Sequence, residues 1–547
     1  MLQKRDTVIG RAHTEVGFVR KENRTMVGVI DEAQLFYPLG TRIKIANNYG
    51  TVKYVGEVNG HCGTWLGIEW DDGLRGKHNG MVDGKRYFQT RLPTAGSFIR
   101  PGKLGPFATL EDAARERYLN YDSKNVDTSL IREAQASMQA SLFEVVGMDK
   151  IARKQSKFEQ LSEVSVDETP VNAAGYLKDL SQLTTLNVSH TLIWNWEIVA
   201  SITQQLPLLN SLNLSSNRLL LPTDKQVIEL APSFRHLKHI NLGNCGFTDW
   251  QDVVQTARLW PDIESLSLQE NSLSQLGEVD CTEIFRKLRE LDLHRTKLMD
   301  FDQVCKLGNI STLCVLNLIE NRIEQLQLPD CEPQSKLNMF VSLEQLSLIH
   351  NPIWNETEAF NELDKLPQLK RLNKTPHLKS NFDEMFSKAV ASIAGLQFVN
   401  KAKVTPEQRR GAEYDIWKKY ALEWLQATKL GADALREFYK KHRTYLGIVN
   451  KYGSPADFVP RIQVKPSNLI KVRIQNGQTG EVWEKKVPRM ITVQTLQGLI
   501  TKRFRLGEIP QLCYIDAKHP ELVVRLENNA KTLDFYSVQE HDTVLFE

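Results

Sequence analysis

A chain of 547 residues is too long for one ordinary hydrophobic core and predicts three or four domains. Its 41% hydrophobic and 25% charged residues are the proportions of a soluble globular protein. A formal net charge of +3 over that length offers no concentrated basic field, which argues against nucleic-acid and polybasic membrane partners.

The seven cysteines are scattered and never form a Cys-x-x-Cys pair, so reduced thiols are expected rather than a disulfide framework or a zinc site. No apolar run approaches the ~20 residues of a membrane span. The N-terminus, MLQKRDTVIGRAHTEVGF, lacks the apolar core of a signal peptide, and a cytoplasmic protein is expected. Residues 1–36 match no pattern and are set apart as an N-terminal extension.

Residues 37–107 alternate short β-type runs with glycine. The runs at 42–45, 51–55 and 65–70 predict strands, and Gly50, Gly56, Gly60, Gly63, Gly73, Gly76, Gly80, Gly84 and Gly96 fall at or beside the turns. A generic small barrel would use glycine in this way. The spacing says more: Gly50-Thr51-Val52-Lys53-Tyr54-Val55-Gly56, Gly63-Thr64-Trp65-Leu66-Gly67, Gly76-Lys77-His78-Asn79-Gly80, Tyr87-Phe88 and Gly96-Ser97-Phe98-Ile99 closely resemble the CAP-Gly domain. The resemblance implies binding of acidic C-terminal tails that end in an aromatic residue, as α-tubulin's does.

A groove for such a tail needs a cation, hydrogen-bond donors and an apolar slot. Lys77 is the expected cation in the 76–80 loop, whose Gly76 and Gly80 let the backbone approach a ligand; Trp65, Phe88 and Phe98 are the candidate apolar walls. The common family loop is Gly-Lys-Asn-Asp-Gly. Here His78 and Asn79 replace the Asn-Asp pair, removing a carboxylate and adding a titratable ring.

Residues 108–175 predict a helix-prone polar connector. From 176 to 400 an internal repeat takes over. The pattern Leu-x-x-Leu-x-Leu starts at Leu183, Leu209, Leu237, Ile263, Leu288, Leu313 and Leu343, the register of a leucine-rich-repeat solenoid. Eight residues after each start stands Thr191, Asn217, Cys245, Asn271, Thr296, Asn321 or Asn351, small or polar residues suited to tying a turn together. A degenerate eighth copy at 369–373 is expected to cap the stack. With the leucines pointing inward, alternation puts Asn187, Asn213, Asn241, Ser267, Asp292, Asn317 and Ser347 on the concave face, with Glu290 and His294 flanking Asp292. The expected docking residues there are Asn213, Asn241, Glu290, Asp292, His294 and Asn317; a bare solvated scaffold is the alternative. No catalytic, metal-spaced or phosphate-loop constellation occurs, so neither an enzyme nor a cofactor is expected.

Residues 401–464 predict a helical linker that begins at Thr405-Pro406. Its aromatic stripe of Trp417, Tyr420 and Trp424 is expected to pack against the solenoid end. Residues 465–547 give two hairpin strands, a helix at 492–500 and closing segments at 533–536 and 542–546, an order that resembles a ubiquitin-like α+β (β-grasp) fold.

The fold class is thus multidomain: an all-β CAP-Gly barrel, an α/β leucine-rich-repeat solenoid and a β-grasp domain. This order resembles the tubulin-folding cofactor E family over nearly the whole chain, as does the stretch Arg409-Arg410-Gly411-Ala412-Glu413-Tyr414. The resemblance implies a cytoskeleton-associated chaperone. It would grip α-tubulin and assemble or dismantle the αβ heterodimer with the other tubulin cofactors and a small GTPase. A microtubule-associated adaptor, or an adaptor to the proteasome through the ubiquitin-like domain, is the alternative reading.

Overall fold

The computed structural model describes residues 37–119, 158–277, 283–378, 380–457, 469–517 and 519–547; the N-terminal extension and the middle of the connector lie outside them. The chain divides into two compact units, Met1–Thr405 and Pro406–Glu547.

In the first unit, β1 (Arg42–Ile45), β2 (Asn48–Val58), β3 (His61–Trp70) and the strand Gly96–Ile99 form an antiparallel sheet in that order. Ile43, Val52, Val55, Leu66, Ile68 and Trp70 make its core. Val52 and Val55 are three apart, which strict strand alternation forbids. A β-bulge between Val52 and Tyr54 absorbs the extra residue and lets both valines face inward. The Arg42 guanidinium, only 2% exposed, binds both carboxylate oxygens of Asp71 and the Thr51 hydroxyl, so its charge is buried with a partner.

The connector differs from expectation. Leu104 and Phe107 still pack on the first module's core, and the very next residues, Ala108–Thr109, pair in parallel with Val171–Ala173. The helix Leu110–Leu119 follows, burying Leu110, Ala113 and Ala114. The expected solenoid start at 176 is also corrected. Glu163–Ser165 already pairs with Thr185–Asn187 as the first strand of the repeat sheet.

From there the sheet runs in parallel through Ser211–Asn213, His239–Asn241, Ser265–Ser267, Glu290–Asp292, Val315–Asn317, Gln345–Ser347, Arg371–Asn373 and Phe398–Val399, then ends on antiparallel Ala402–Lys403. The central residue of every triplet, from Val164 through Leu186, Leu316 and Leu372, is buried. The segment at 369–373, expected to cap the stack, supplies an ordinary strand. Closure falls to Phe398–Lys403 because a reversed strand offers no template for another parallel repeat.

The residues eight positions after each repeat start form a buried ladder. Asn321 donates from Nδ2 to Leu293 O (2.8 Å) and Leu318 O (3.1 Å), and its Oδ1 accepts from Thr296 N (3.1 Å) and Leu298 N (3.0 Å). Asn271 ties the turn of the repeat before it in the same way, and Asn217 and Asn351 do so with one accepted backbone N–H each. Cys245 occupies one rung through Leu214 O; burial pushes its thiol up to about 12, so it stays protonated there.

In the second unit, helices Pro406–Lys419, Ala421–Leu430, Ala432–Lys441 and Tyr445–Tyr452 enclose Ala427, Phe438, Tyr439 and Tyr445, with Tyr420 and Trp424 packed against them. The aromatic stripe therefore serves a core of its own: Trp424 Nε1 donates to Tyr439 Oη and Tyr445 Oη to Trp417 O. The last domain has the strand order Val482–Pro488, Leu469–Asn476, Thr543–Phe546, Leu512–Asp516, His519–Arg525, with the helix Val493–Phe504 across it. Residues 533–536 form turns that plug the core through Leu533, where a closing strand segment was expected.

Asn321→Ala strands four backbone groups and should cost the repeats about 2–4 kcal/mol. Asn317→Ala, which loses one partly exposed bond to Ile319 N, should cost under about 1 kcal/mol. Urea unfolding of the repeats compares them, and equal midpoints would show that the ladder does not hold the turns.

Candidate binding groove

The 76–80 loop is pinned to the strand behind it by backbone contacts. Lys77 N and His78 N donate to Gly96 O at 2.7 and 3.2 Å, and Gly96 N donates to His78 O at 2.7 Å. Glycine is required at both ends of the loop. A Cβ on Gly76 would lie 2.4 Å from Thr94 O, and one on Gly80, at φ +88°, would lie 2.1 Å from Phe88 O. The loop thus presents Lys77 outward, exposed and without an ion pair among the described residues.

Behind the loop five rings cluster. His78 lies 5.3 Å from Phe98 and 6.0 Å from Phe88, Phe88 and Phe98 are 5.4 Å apart, and Tyr87 packs 5.4 Å from Phe98. Tyr54 completes the group against Tyr87 and Phe98. Tyr54 and Tyr87 are additions to the expected set. The bulge in β2 turns Tyr54 to this face, opposite Gly67, and the three-residue gap between Val52 and Val55 was the available signal. Trp65 stands apart from the cluster: Arg100 covers its ring at 3.9 Å, His61 meets it edge-on, and its indole N–H is buried without an acceptor among the described residues. Asn79 offers its carbonyl to Arg86.

His78 Nδ1 accepts the Gly80 N–H at 3.0 Å, so the neutral ring must carry its proton on Nε2. Burial holds the His78 pKa below the ordinary value. Below the groove, burial would raise Glu69, but hydrogen bonds from Arg91 and the charges of Arg91 and Lys53 outweigh it and keep the carboxylate ionised. The chain as a whole is nearly neutral, yet residues 37–107 hold ten lysines and arginines against five acids. That excess makes the module a concentrated positive field.

On the repeat sheet, the concave asparagines are already engaged. The Oδ1 atoms of Asn213, Asn241 and Asn317 accept from Ser215 N, Gly243 N and Ile319 N, and Asp292 Oδ1 accepts from His294 N. Glu290 is exposed. His294 Nε2 lies 3.5 Å from Glu320, which also binds Arg295, itself paired with Glu270. Glu270, Arg295 and Glu320, each three residues beyond its strand, are missed by a strand-alternation argument.

Residues 39–104 match the family model of the CAP-Gly domain. Along its length the chain is 79% identical over 521 residues to a Drosophila melanogaster protein named tubulin-specific chaperone E, covering 95% of this chain and all of that one. It is 32% identical to the Mus musculus protein of the same name, covering 93% and 98% respectively. Among solved structures, the C-terminal ubiquitin-like domain of mouse tubulin-specific chaperone E is 28% identical over 15% of this chain and 91% of that one, with a TM-score of 0.14.

His78 should titrate below the ordinary histidine value of 6.5, observable by NMR. Between that folded value and the unfolded one, the unfolded chain binds more protons, so the module loses stability as pH falls through this window. A titration above 6.5 would contradict the buried, Gly80-bonded ring.

Proposed function

The chain belongs to the tubulin-specific chaperone E family, and from that premise we propose that the groove takes the acidic, aromatic-ended C-terminal tail of α-tubulin. Lys77 meets the tail's carboxylates, the His78 Nε2–H offers a donor, and Phe88, Phe98, Tyr54 and Tyr87 receive the terminal ring. Trp65, expected as a wall, lies under Arg100 apart from the rings and takes no part in the slot. The repeat face, through Glu290, His294 and the neighbouring charges, engages the folded body of α-tubulin. The asparagines at 213, 241 and 317 and Asp292 shape that face more than they grip it.

The observation that carries this reading is the unpaired Lys77 at the mouth of a ring cluster, in a module with twice as many basic as acidic residues. Charge complementarity of this kind speeds encounter and fixes register. The ring cluster supplies the slot that a purely electrostatic surface lacks.

In this reading the chain is a non-enzymatic cytoplasmic chaperone. It assembles or dissociates the αβ-tubulin heterodimer by summing contacts, in company with other tubulin cofactors and a small GTPase. The ubiquitin-like domain is then free to address a further partner such as the proteasome.

Lys77→Glu reverses the central charge and should weaken binding of a Glu-Glu-Tyr-ended peptide about tenfold or more. Fluorescence anisotropy reads the effect, and an unchanged affinity would refute the assignment of this loop.

A further inference from the structure

The CAP-Gly module is seated on the first repeats, and the contacts are specific. Tyr49, 8% exposed, stacks on the His190 imidazole at 4.3 Å and 27°, and its hydroxyl donates to His190 O at 3.3 Å. Lys44 Nζ donates to Glu168 O at 3.0 Å while lying over the Tyr49 ring. Gly40 lies so close to Leu220 and Trp194 that a Cβ there would come within 2.8 Å of the leucine. The half-buried Arg218 side chain donates to Asn244 O and feels the charge of the module's Asp71.

The covalent exit is clamped as well. Between Phe107, in the module's core, and Ala108, hydrogen-bonded to Pro170 O at 3.1 Å, no slack remains. Arg115 and Arg117 then tie the following helix to Asp179 and Asp167 beside the first strands.

Two binding surfaces joined by a flexible tether raise each other's effective concentration over a wide range of geometries; a rigid joint does so at one geometry only. We propose that the seat fuses the tail groove and the repeat face into one composite site. Its substrate is an acidic, aromatic-ended tail still carried by a folded globular body, and free tails or tail-less bodies are bound far more weakly. The proposal rests on the tail-binding reading above. Residues Tyr49, Lys44, His190 and Leu220 are its positioning residues, since none belongs to the groove.

The test frees the module without touching the groove. A flexible glycine–serine insertion of about 12 residues after Phe107 is combined with Tyr49→Ser and Lys44→Ser. A second variant combines the same insertion with Leu220→Arg, leaving the module's own side chains intact. Each full-length chain is titrated with the Glu-Glu-Tyr peptide, with native tubulin and with tubulin whose tails have been removed by limited proteolysis.

The intact chain should hold native tubulin about a hundredfold more tightly than it holds either partial ligand. Both variants should keep their affinity for the partial ligands and lose about tenfold or more for native tubulin. Native-tubulin affinity equal to that of the intact chain, in a variant that still binds peptide, overturns the proposal. An intact chain that fails to bind the peptide overturns the tail-binding reading and this inference with it, and that arm is read before any variant is compared.

Discussion

Each repeat of the solenoid must reverse direction just after its strand, and it does so through a residue in the left-handed region. His190, Ser216, Asn244, Glu270, Arg295, Glu320 and His350 all have φ between 52 and 60°, a conformation that costs an ordinary L-residue about 1–2 kcal/mol. What offsets the cost is the buried amide of the next repeat: Asn217 accepts the N–H immediately after His190, and Asn321 the N–H immediately after Arg295. The turn of one repeat is thus held by the side chain of its neighbour. No repeat is complete alone, and the leucine stack, the concave face and the seat all follow from that dependence.

The seat uses this geometry directly. Two of the residues it contacts, Glu168 and His190, are themselves left-handed turn residues, so the ridge they form is already rigid when the module meets it. Further along, the same ridge carries Glu270, Arg295 and Glu320, which pair with one another. One structural row therefore serves as an intramolecular platform at one end and a charged, solvent-facing surface at the other.

Much of this was legible in the sequence because it depends on spacing. The glycines at 76 and 80 and the seven repeat starts are fixed by close approach and by period, and both survive as patterns in one chain. The strand Glu163–Ser165 was overlooked: Leu161, Val164 and Val166 keep the apolar spacing of the later repeats, but with valines in place of two leucines, and the pairing with Thr185–Asn187 identifies it. Tyr54 was hidden by a bulge that breaks the two-residue alternation. The stripe of Trp417, Tyr420 and Trp424 announced a buried face correctly, but periodicity carries no information about which surface buries it. For the concave asparagines, alternation located them and could not foresee that their acceptors are spent on the adjoining turns.

With the CAP-Gly module locked to one end of the sheet and the reversed strand Ala402–Lys403 closing the other, the solenoid is a ruler with fixed stops. Neighbouring strands are about 4.8 Å apart, so any length between the groove and a point on the repeats comes in whole strand steps. Loop insertions on the convex side leave that graduation untouched. Gain or loss of a single repeat would shift every later mark by one division, and an evolving chain could retune its reach only by such jumps.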